Sequence, residues 1–297
     1  MSPLIFSRLL LKTAVKLGLG SALFGVTPLW RVSGGLRVLY YHRVNDYPRQ
    51  ELGLLSQEVS VASQSFARQL DYLQRHGYTV ITAEEATATL RSGQSFPPNA
   101  VLLTFDDGYA DNYLYAFPLL YERRLSALFF LTTDFVDASL SFSWDQGKTV
   151  EYNRALTWEE VRRMAEGNMA FGSHTKSHPR LDRLAPSALA YELEESKRLI
   201  EQQVHHPVTC LAYPAGGCSP AVVAASRCAG YTAAFTTVPG INAPGCDAFR
   251  VRRSEVSASD PLLVFALKVR GSLDVLALKE SPKFRRICDF ITFRFLP

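Results

Sequence analysis

Short apolar segments alternate with amphipathic helical patterns along most of this chain, and this alternation restricts the fold more than any other feature. Residues 100–105 and 127–131 are apolar runs with the length of buried strands. Apolar residues at i, i+4 and i+7 within 65–76 predict an amphipathic helix. Strands separated by such helices indicate an α/β fold with a parallel sheet or barrel.

The predicted elements follow from apolar runs, helical periodicity and capping signals. Thr82 with Glu85, and Thr157 with Glu160, have the spacing of capping boxes that begin helices. Further helices are predicted at 111–123 and 186–203, and strands at 38–41, 78–81, 100–105, 127–131, 169–172, 209–213, 231–235 and 249–252.

The composition is that of an ordinary globular protein. The chain has 297 residues, of which 47% are hydrophobic and 20% charged, which excludes a disordered or fibrous main state. Its five cysteines are an odd number without a C-x-x-C pair. They predict neither a disulfide framework nor a structural zinc site, and they favour a reducing compartment.

The two ends of the chain are basic and apolar, whereas the middle is acidic. Residues 1–43 contain six basic and no acidic residues, and residues 268–297 contain seven basic and three acidic ones. A nucleic-acid-binding protein would carry its positive charge on the folded body, so no nucleic-acid partner is expected. Basic, apolar ends suit an anionic membrane surface better.

The N-terminal segment has three interpretations. Its uninterrupted apolar run, 17–30, has 14 residues, fewer than the roughly 20 needed to span a bilayer. Arg8, Lys12 and Lys16 would share one face of a helix, which favours an interfacial helix on a peripheral membrane protein, facing either side of the membrane. A helix packed on its own domain ranks second and a cleaved signal peptide third. Residues 283–297 offer a second basic, aromatic-rich contact.

Two aspartates mark the end of a predicted strand, where the functional groups of parallel α/β folds collect. Asp106 and Asp107 directly follow the strand 100–105. Adjacent carboxylates repel each other, which makes it unfavourable for both to be ionised. A bound cation would offset this repulsion, as would a base role in which one carboxylate accepts a proton. In an extended chain their side chains point to opposite sides, which predicts different roles. The competing interpretation is a plain Asp-Gly turn.

Two histidines follow the predicted strand 169–172. His174 and His178 are four residues apart, a spacing that lets both side chains hold one metal ion from a helical turn. Surface histidines also pair by chance. Two imidazoles with one carboxylate of the aspartate pair would leave positions for water and substrate, as a hydrolytic metal site requires.

Two further strand ends offer supporting groups. The strand 209–213 runs into a Tyr-Pro-Ala-Gly-Gly sequence, whose backbone N–H groups could hold a developing oxyanion; an ordinary turn is the alternative. His42 ends the first strand and, together with the other motifs, could give a proton to a leaving amine.

In this order, Thr-Phe-Asp-Asp-Gly, His-Thr-x-x-His-Pro and Tyr-Pro-x-Gly resemble the motifs of the polysaccharide deacetylase family, which has the NodB homology domain. The Tyr-His end of the first strand is similar to the branch that includes poly-N-acetylglucosamine deacetylases. The resemblance implies a distorted (β/α)7-like barrel with parallel central strands. It divides the chain into a basic apolar segment at 1–35, the catalytic domain at 36–256 and a basic amphipathic extension at 257–297.

The resemblance also implies a role for each matching residue. Asp107, His174 and His178 would bind a divalent metal ion, most often zinc in this family. Asp106 would be the general base that takes a proton from water as the water attacks an amide carbonyl. The metal ion would make this proton easier to remove, because it brings the pKa of bound water to about 7. His42 would protonate the departing amine.

The chain departs from the family's pattern at three points. No arginine precedes the proline of the third motif, and Arg253 is the predicted substitute that steers the base. Ala215 stands where the family has an aromatic residue. Its backbone amide could still contact the oxyanion, as could Tyr213, but the aromatic side chain that would line the site is missing. The late Leu-x-His motif is absent because no histidine follows His206, which places the acid role on His42.

The predicted function is metal-dependent removal of N-acetyl groups from an amino-sugar glycan or a lipid-linked amino sugar. The same site would also serve a glycan O-acetyl esterase or a sugar deformylase. A carbohydrate-binding protein without catalysis is the alternative from another class, and the retained Asp106, Asp107, His174 and His178 argue against it, since a binding protein needs no free base.

Overall fold

The computed structural model describes residues 3–24, 33–138, 140–274 and 277. The predicted C-terminal contact at 283–297 lies outside these residues. The strands are β1 (Leu36–Tyr41), β2 (Arg43–Val44), β3 (Ser60–Val61), β4 (Thr79–Val80), β5 (Ala100–Phe105), β6 (Leu128–Leu131), β7 (Ala170–Ser173), β8 (Cys210–Ala212), β9 (Ala233–Phe235), β10 (Ile241–Asn242) and β11 (Ser254–Glu255). The helices are α1 (Pro3–Phe24), α2 (Leu54–Val59), α3 (Ser63–Arg75), α4 (Ala83–Ser92), α5 (Phe117–Glu122), α6 (Val150–Asn153), α7 (Trp158–Glu166), α8 (Pro186–Val204), α9 (Pro220–Cys228) and α10 (Leu262–Arg270).

The main sheet is a curled half-barrel of mostly parallel strands in the order β10-β1-β5-β6-β7-β8-β9. Every neighbouring pair from β1 to β9 in that order is parallel, and only β10 runs antiparallel to β1. Helices connect successive strands, as parallel pairing requires. The predicted α/β fold, consistent with a (β/α)7-like barrel, is confirmed.

The segment 251–255 links the two sides of the curled sheet. Val251 forms a parallel bridge to Phe235 in β9, and β11 pairs in parallel with β1. The predicted strand at 249–252 is therefore wrong in its position. The side chain of Asn242 bonds both the N–H and the carbonyl of Arg252, at 2.8 and 2.9 Å, and so occupies groups that a neighbouring strand would use.

Helix starts follow the sequence signals where side chains satisfy free backbone N–H groups. The capping boxes at Thr82 and Thr157 are both formed, each with its glutamate three residues on. The predicted helix at 111–123 instead begins with a π-helical turn, Asn112–Ala116, before α5. Pro118 has no N–H to donate to the preceding turn, which disfavours a regular α-helix there.

The core lies on both faces of the central strands. All six residues of β1 and all six of β5 are buried. On the helix-covered face, next to Phe66 of α3, the rings of Tyr41 and Phe129 stack on either side of Phe105, with centroids 5.2 and 4.5 Å away. This packing fixes the carboxyl end of β5, where Asp106 and Asp107 follow.

The N-terminal segment forms a helix that packs on its own domain, against α10. Lys12 and Lys16 face the protein, where they pair with Glu58 and Asp260. The packed-helix interpretation therefore describes the structure. None of the described helices is both long enough and apolar enough to cross a membrane.

Candidate metal and catalytic site

Asp106 and Asp107 diverge at the carboxyl end of β5. The Asp106 N–H donates to the Tyr41 carbonyl at 2.9 Å and so continues the β1–β5 ladder by one residue. The backbone then turns sharply, because Asp107 adopts a left-handed φ of 73° and Gly108 one of 79°. A left-handed backbone is uncommon outside glycine and often marks a functional constraint. Both carboxylates are buried but point to different partners.

His174 and His178 lie on the loop after β7. The His174 N–H donates to the Leu131 carbonyl at 2.8 Å, which continues the β6–β7 ladder. The predicted helical turn is wrong, because Thr175 and His178 have left-handed φ values of 68° and 64°. The Thr175 hydroxyl accepts a hydrogen bond from the His178 N–H at 3.0 Å. This tight loop, rather than a helical turn, brings the two imidazoles to a centroid distance of 4.8 Å.

The structure brings Asp107, His174 and His178 together as a group suited to a metal ion. The ligand atoms that they offer all lie within 4.8 Å of one another. Asp107 Oδ1 is 3.6 Å from His174 Nε2 and 3.4 Å from His178 Nε2. Ligand atoms about 2.1 Å from a tetrahedral zinc ion are about 3.4 Å apart. These residues therefore fit a divalent cation with two imidazoles and one carboxylate.

The protonation states of His174 and Asp107 also suit metal binding. His174 Nδ1 lies 2.9 Å from the Ala212 carbonyl, so Nδ1 carries the proton and Nε2 keeps its lone pair. Burial lowers the pKa of His174 to about 4, so the imidazole is neutral near pH 7. Burial works to raise the pKa of Asp107, but the contact with His178 and the nearby imidazoles lower it well below its usual range. Asp107 is therefore ionised.

Asp106 faces away from this group and forms a buried ion pair with Arg253. The two guanidinium nitrogens of Arg253 donate to the two carboxylate oxygens of Asp106, at 2.7 and 2.8 Å. Burial works to raise the pKa of Asp106, but the charge of Arg253 and its hydrogen bonds lower it from its ordinary value. Asp106 is thus an ionised carboxylate beside the metal-binding group and outside it.

Arg253 is held rigidly in the segment that closes the sheet. Its side chain is fully buried, and its Nε donates to the Thr236 carbonyl at 2.9 Å. The guanidinium also lies over the ring of Tyr40, 4.5 Å from the centroid, and 5.5 Å from that of Phe130. A planar guanidinium held in this way presents its fork in one orientation. The predicted substitute for the missing motif arginine is thus placed against the predicted base.

His42 lies at the carboxyl end of β1, close enough to interact electrostatically with both aspartates. Its ring contacts Tyr40 edge to face at 5.5 Å, and its backbone carbonyl accepts a hydrogen bond from Asn112. The buried Nδ1 of His42 has no hydrogen-bond partner among the residues that the structure describes. The imidazole is therefore near the site without being part of the three-residue group.

Of the two residues predicted to contact an oxyanion, only Ala215 remains a candidate. Tyr213 is fully buried, with its hydroxyl bonded to the Phe249 carbonyl at 3.1 Å and its N–H to the Phe235 carbonyl at 3.0 Å. Both donors of Tyr213 are used, so its predicted oxyanion role is wrong. Ala215 lies in a tight turn with φ 49°, and its carbonyl accepts from Arg180 on the loop after His178.

Comparisons with known proteins agree with this geometry. Residues 93–234 match the family model described as polysaccharide deacetylase. The chain carries a polysaccharide deacetylase domain. It is 28% identical to YxkH of Bacillus subtilis strain 168 over 222 residues, which are 75% of this chain and 71% of that protein. YxkH is itself named for its family, as a polysaccharide deacetylase.

Two further relatives carry more specific names. The chain is 27% identical to the poly-β-1,6-N-acetyl-D-glucosamine N-deacetylase of Staphylococcus epidermidis over 236 residues, 74% of this chain and 78% of that enzyme. The structure of IcaB from Ammonifex degensii superposes with a TM-score of 0.65 at 27% identity, over 79% of this chain and 97% of that one.

An aromatic wall lies beside the metal-binding group of this polysaccharide deacetylase domain. It belongs to the insertion 139–153, whose polar, aromatic-containing sequence predicts a rim loop over a site. The ring of Trp144 stacks on Phe142 at 4.8 Å and meets His178 edge to face at 5.3 Å. Trp144 is half-buried, so part of its ring remains accessible. The sequence predicted the loop but did not assign Trp144 to the site.

A buried polar network holds this aromatic wall in place. Trp144 Nε1 donates to the Tyr109 hydroxyl at 2.7 Å, which in turn donates to Asp145 at 2.7 Å. The Arg43 guanidinium lies 4.1 Å from the centre of the Tyr109 ring and pairs with Asp111 at 2.6 Å. Each of these side chains has a hydrogen-bond or ionic partner, and among the described residues only the Oδ1 atom of Asp111 in this network is left without one. The insertion is therefore a fixed part of the polysaccharide deacetylase site.

Proposed function

We propose that this domain removes N-acetyl groups from an amino-sugar glycan and that it uses a divalent metal ion, with zinc as the first choice. One observation carries the proposal: an ionised carboxylate, Asp106, is held outside a group of three metal-type ligands but beside it. A binding protein has no use for a free base in that position. A hydrolase needs one to accept the proton of the attacking water.

Asp107, His174 and His178 would hold the metal ion. An ion bound there would supply Lewis acidity, which lowers the pKa of water and polarises the acyl oxygen. The protein's part is to hold both imidazoles close to one point and to keep the Nε2 atom of His174 unprotonated. The Ala212 carbonyl does this for His174 by fixing the proton on Nδ1.

Asp106 would accept the proton from the water. Its ion pair with Arg253 keeps the carboxylate ionised in a buried position and fixes its orientation. Each oxygen of Asp106 also has a free lone pair, since one hydrogen bond from Arg253 uses only part of its accepting capacity. The base is therefore both positioned and able to take a proton.

His42 would deliver a proton to the nitrogen that leaves. An amine leaves readily only when it is protonated, so amide hydrolysis needs an acid as well as a base. The Nδ1 atom of His42, buried without a hydrogen-bond partner among the described residues, is consistent with a ring that meets its partner only when substrate is present. The Ala215 amide, in its left-handed turn, would contribute a donor to the oxyanion.

The substrate class rests on the relatives and on the aromatic wall. The S. epidermidis enzyme is named for a β-1,6-linked N-acetylglucosamine polymer, and we carry this substrate class over as part of the proposal. The accessible part of the Trp144 ring offers an apolar surface for one face of a sugar ring. A lipid-linked amino sugar would present the same acetamido group to the site.

Acetate release tests the proposal. The purified full chain, loaded with zinc, is incubated with β-1,6- and β-1,4-linked N-acetylglucosamine oligomers and with an O-acetylated glycan. We expect acetate from the β-1,6 oligomer. Asp106→Asn should keep its metal content and lose roughly 10²–10⁴ in rate, the usual contribution of a general base.

The matched control is His206→Ala, an exposed histidine after α8, which should leave both metal content and rate unchanged. Acetate from the O-acetylated glycan alone would identify an esterase in place of an amidase. Absence of acetate from every substrate, in a protein that holds one metal ion per chain, would contradict the proposal and support a binding protein.

A further inference from the structure

Three polar residues of helix α1, Lys12, Thr13 and Lys16, contact the rest of the protein, which is unusual for a packed helix. A packed helix normally buries its apolar side and exposes its charged side. In α1, the Thr13 hydroxyl donates to the Ser259 carbonyl at 2.8 Å. The Lys16 ammonium lies 2.6 Å from a carboxylate oxygen of Asp260. Polar and charged contacts, rather than an apolar stripe alone, hold α1 on the domain.

The basic residues on this side are neutralised within the protein. Asp260 is buried and also pairs with the Lys268 ammonium, while Lys12 pairs with Glu58 on α2. The four-residue spacing of these lysines suggests a basic face turned toward a membrane, and the structure turns that face inward. A membrane contact of α1 would therefore have to be made by its other face.

The outward side of α1 is apolar. Leu10 is 53% exposed, Leu11 66% and Val15 53%. One turn further on, Gly18 has open space where a side chain would be. Single exposed apolar residues are common on protein surfaces, but a stripe along one helix face is a mark of an interaction site.

Neighbouring helices extend this stripe. Leu54 and Leu55 are 64% and 48% exposed and begin α2, one turn before Glu58, the partner of α1. Leu262 and Leu263 are 40% and 60% exposed and begin α10, directly after the buried cluster around Asp260. We call these seven residues the outer apolar face: Leu10, Leu11, Val15, Leu54, Leu55, Leu262 and Leu263.

The chain continues past the outer apolar face into a basic segment. Leu273, close to the last described residues, packs in the same cluster as Leu17 and Leu19 of α1. From there the chain continues into the segment 278–297, which carries five basic and two acidic residues. Four basic residues nearer the N-terminus do not add to this free charge, because each forms an ion pair within the domain: Lys12, Lys16, Arg37 and Arg43.

We propose that the outer apolar face lies on the surface of an anionic phospholipid bilayer, with α1 parallel to the membrane plane. Leucine side chains would enter the boundary between headgroups and acyl chains, and the basic residues of the segment 278–297 would attract anionic headgroups. A second copy of the chain would also cover the leucines. It would add a second segment with the same net positive charge, which charge repulsion disfavours.

Vesicle co-sedimentation of the purified full chain tests the proposal. The vesicles are phosphatidylcholine alone and phosphatidylcholine mixed with phosphatidylglycerol. The wild type should sediment with the anionic vesicles and less with the neutral ones. The variant Leu10→Ser, Leu11→Ser, Val15→Ser should bind anionic vesicles about a hundredfold more weakly, because three apolar side chains no longer enter the lipid.

The matched control is Leu114→Ser, which changes a leucine of similar exposure, 48%, on another side of the domain and should bind like the wild type. Circular dichroism checks that the triple variant is folded, since all three residues are exposed. Failure of the wild type to bind anionic vesicles would overturn the proposal, as would equal loss in the Leu114→Ser control. Lipid-independent dimerisation that the triple variant abolishes, without vesicle binding, would assign the face to a second copy.

Discussion

Arg253 forms a two-pronged, fully buried ion pair with Asp106, although 147 residues separate them in the chain. The pair joins the end of β5 to the segment that closes the sheet. Because burial alone would raise the pKa of Asp106, the guanidinium is what keeps this carboxylate ionised. Arg253 is therefore a positioning residue for the proposed base.

We expect Arg253→Met to move the acidic limb of the kcat/KM–pH profile to higher pH. Without the opposing charge the pKa of Asp106 rises, so a larger fraction of the base is protonated at any given acidic pH. The rate at pH 7 should fall by about a hundredfold, and the free energy of unfolding by roughly 3–5 kcal/mol, as for other broken buried pairs. In Arg253→Lys the acidic limb should lie between those of the wild type and Arg253→Met. Lysine keeps the positive charge but cannot donate the two parallel hydrogen bonds of the guanidinium. An acidic limb unchanged in Arg253→Met would show that the pair does not set the protonation of Asp106.

Removal of either imidazole should weaken metal binding. His174→Ala and His178→Ala each take away one of three ligands, so the zinc dissociation constant, measured by competition with a chelator, should rise by well over tenfold. His206→Ala should bind zinc like the wild type. Full zinc stoichiometry at wild-type affinity in both ligand variants would exclude this group as the metal site.

Trp144→Ala should raise KM for a glycan oligomer by about tenfold, because loss of the aromatic surface removes contact with the sugar ring. Metal content should stay unchanged, since Trp144 contacts His178 only through its ring edge. Trp144→Phe keeps an aromatic surface and should recover most of the affinity. Tyr121→Ala removes an exposed aromatic ring on α5 and serves as the control. An unchanged KM in Trp144→Ala would remove this residue from the substrate site.

Asp260 should make the stability of the domain depend on acid pH. Burial works to raise the pKa of Asp260, but the charges of Lys268 and Lys16 lower it below its ordinary value. The unfolded chain therefore binds a proton on Asp260 at a pH where the folded chain does not. This contribution to stability is present above the unfolded pKa, about 3.9, and is lost as the pH falls through the folded pKa.

The substitution Asp260→Asn tests this at two pH values in urea. At pH 7 it should lower the free energy of unfolding by roughly 3–5 kcal/mol, because two buried lysines lose their acid. Below the folded pKa of Asp260 the difference from the wild type should shrink. Asp71→Asn breaks a partly exposed pair with Arg123 and should cost at most about 1 kcal/mol. An equal loss at both pH values would mean that ionisation of Asp260 does not matter.

Sequence patterns predicted those elements whose signal is local. The strand Ala100–Phe105 has the bounds that its apolar run indicates, and the capping box at Thr157 starts α7. These signals depend on neighbouring residues alone. The predicted strand at 249–252 depended on a partner across the sheet, and the side chain of Asn242 occupies that place.

The metal-binding group was predictable in its members but not in its geometry. Because strand ends of a parallel sheet meet at one edge, His174 and His178 were expected to lie beside one carboxylate of the aspartate pair. The resemblance to the deacetylase family implied that this carboxylate is Asp107. The left-handed φ of His178, which replaces the predicted helical turn, has no sequence signal because the residue is not glycine. Tyr213 was misassigned because a motif residue can serve the core, and its hydroxyl bonds the Phe249 carbonyl.

The orientation of α1 could not be predicted from its own residues. The spacing of Lys12 and Lys16 showed that they share a face, but not which way that face points. The direction is set by Glu58 and Asp260, which are distant in sequence. Helical periodicity identifies a face, whereas tertiary contacts decide whether it is buried.

The closing segment of the sheet means that the proposed active site extends past the part of the chain that matches the family model. The match to the family model ends at residue 234, yet Arg253 and the β11 pairing with β1 come later. A truncated form ending at 234 would keep all three metal-type ligands and lose the guanidinium beside the base. Metal occupancy alone would therefore be a poor guide to whether a shortened form, natural or engineered, can turn over substrate.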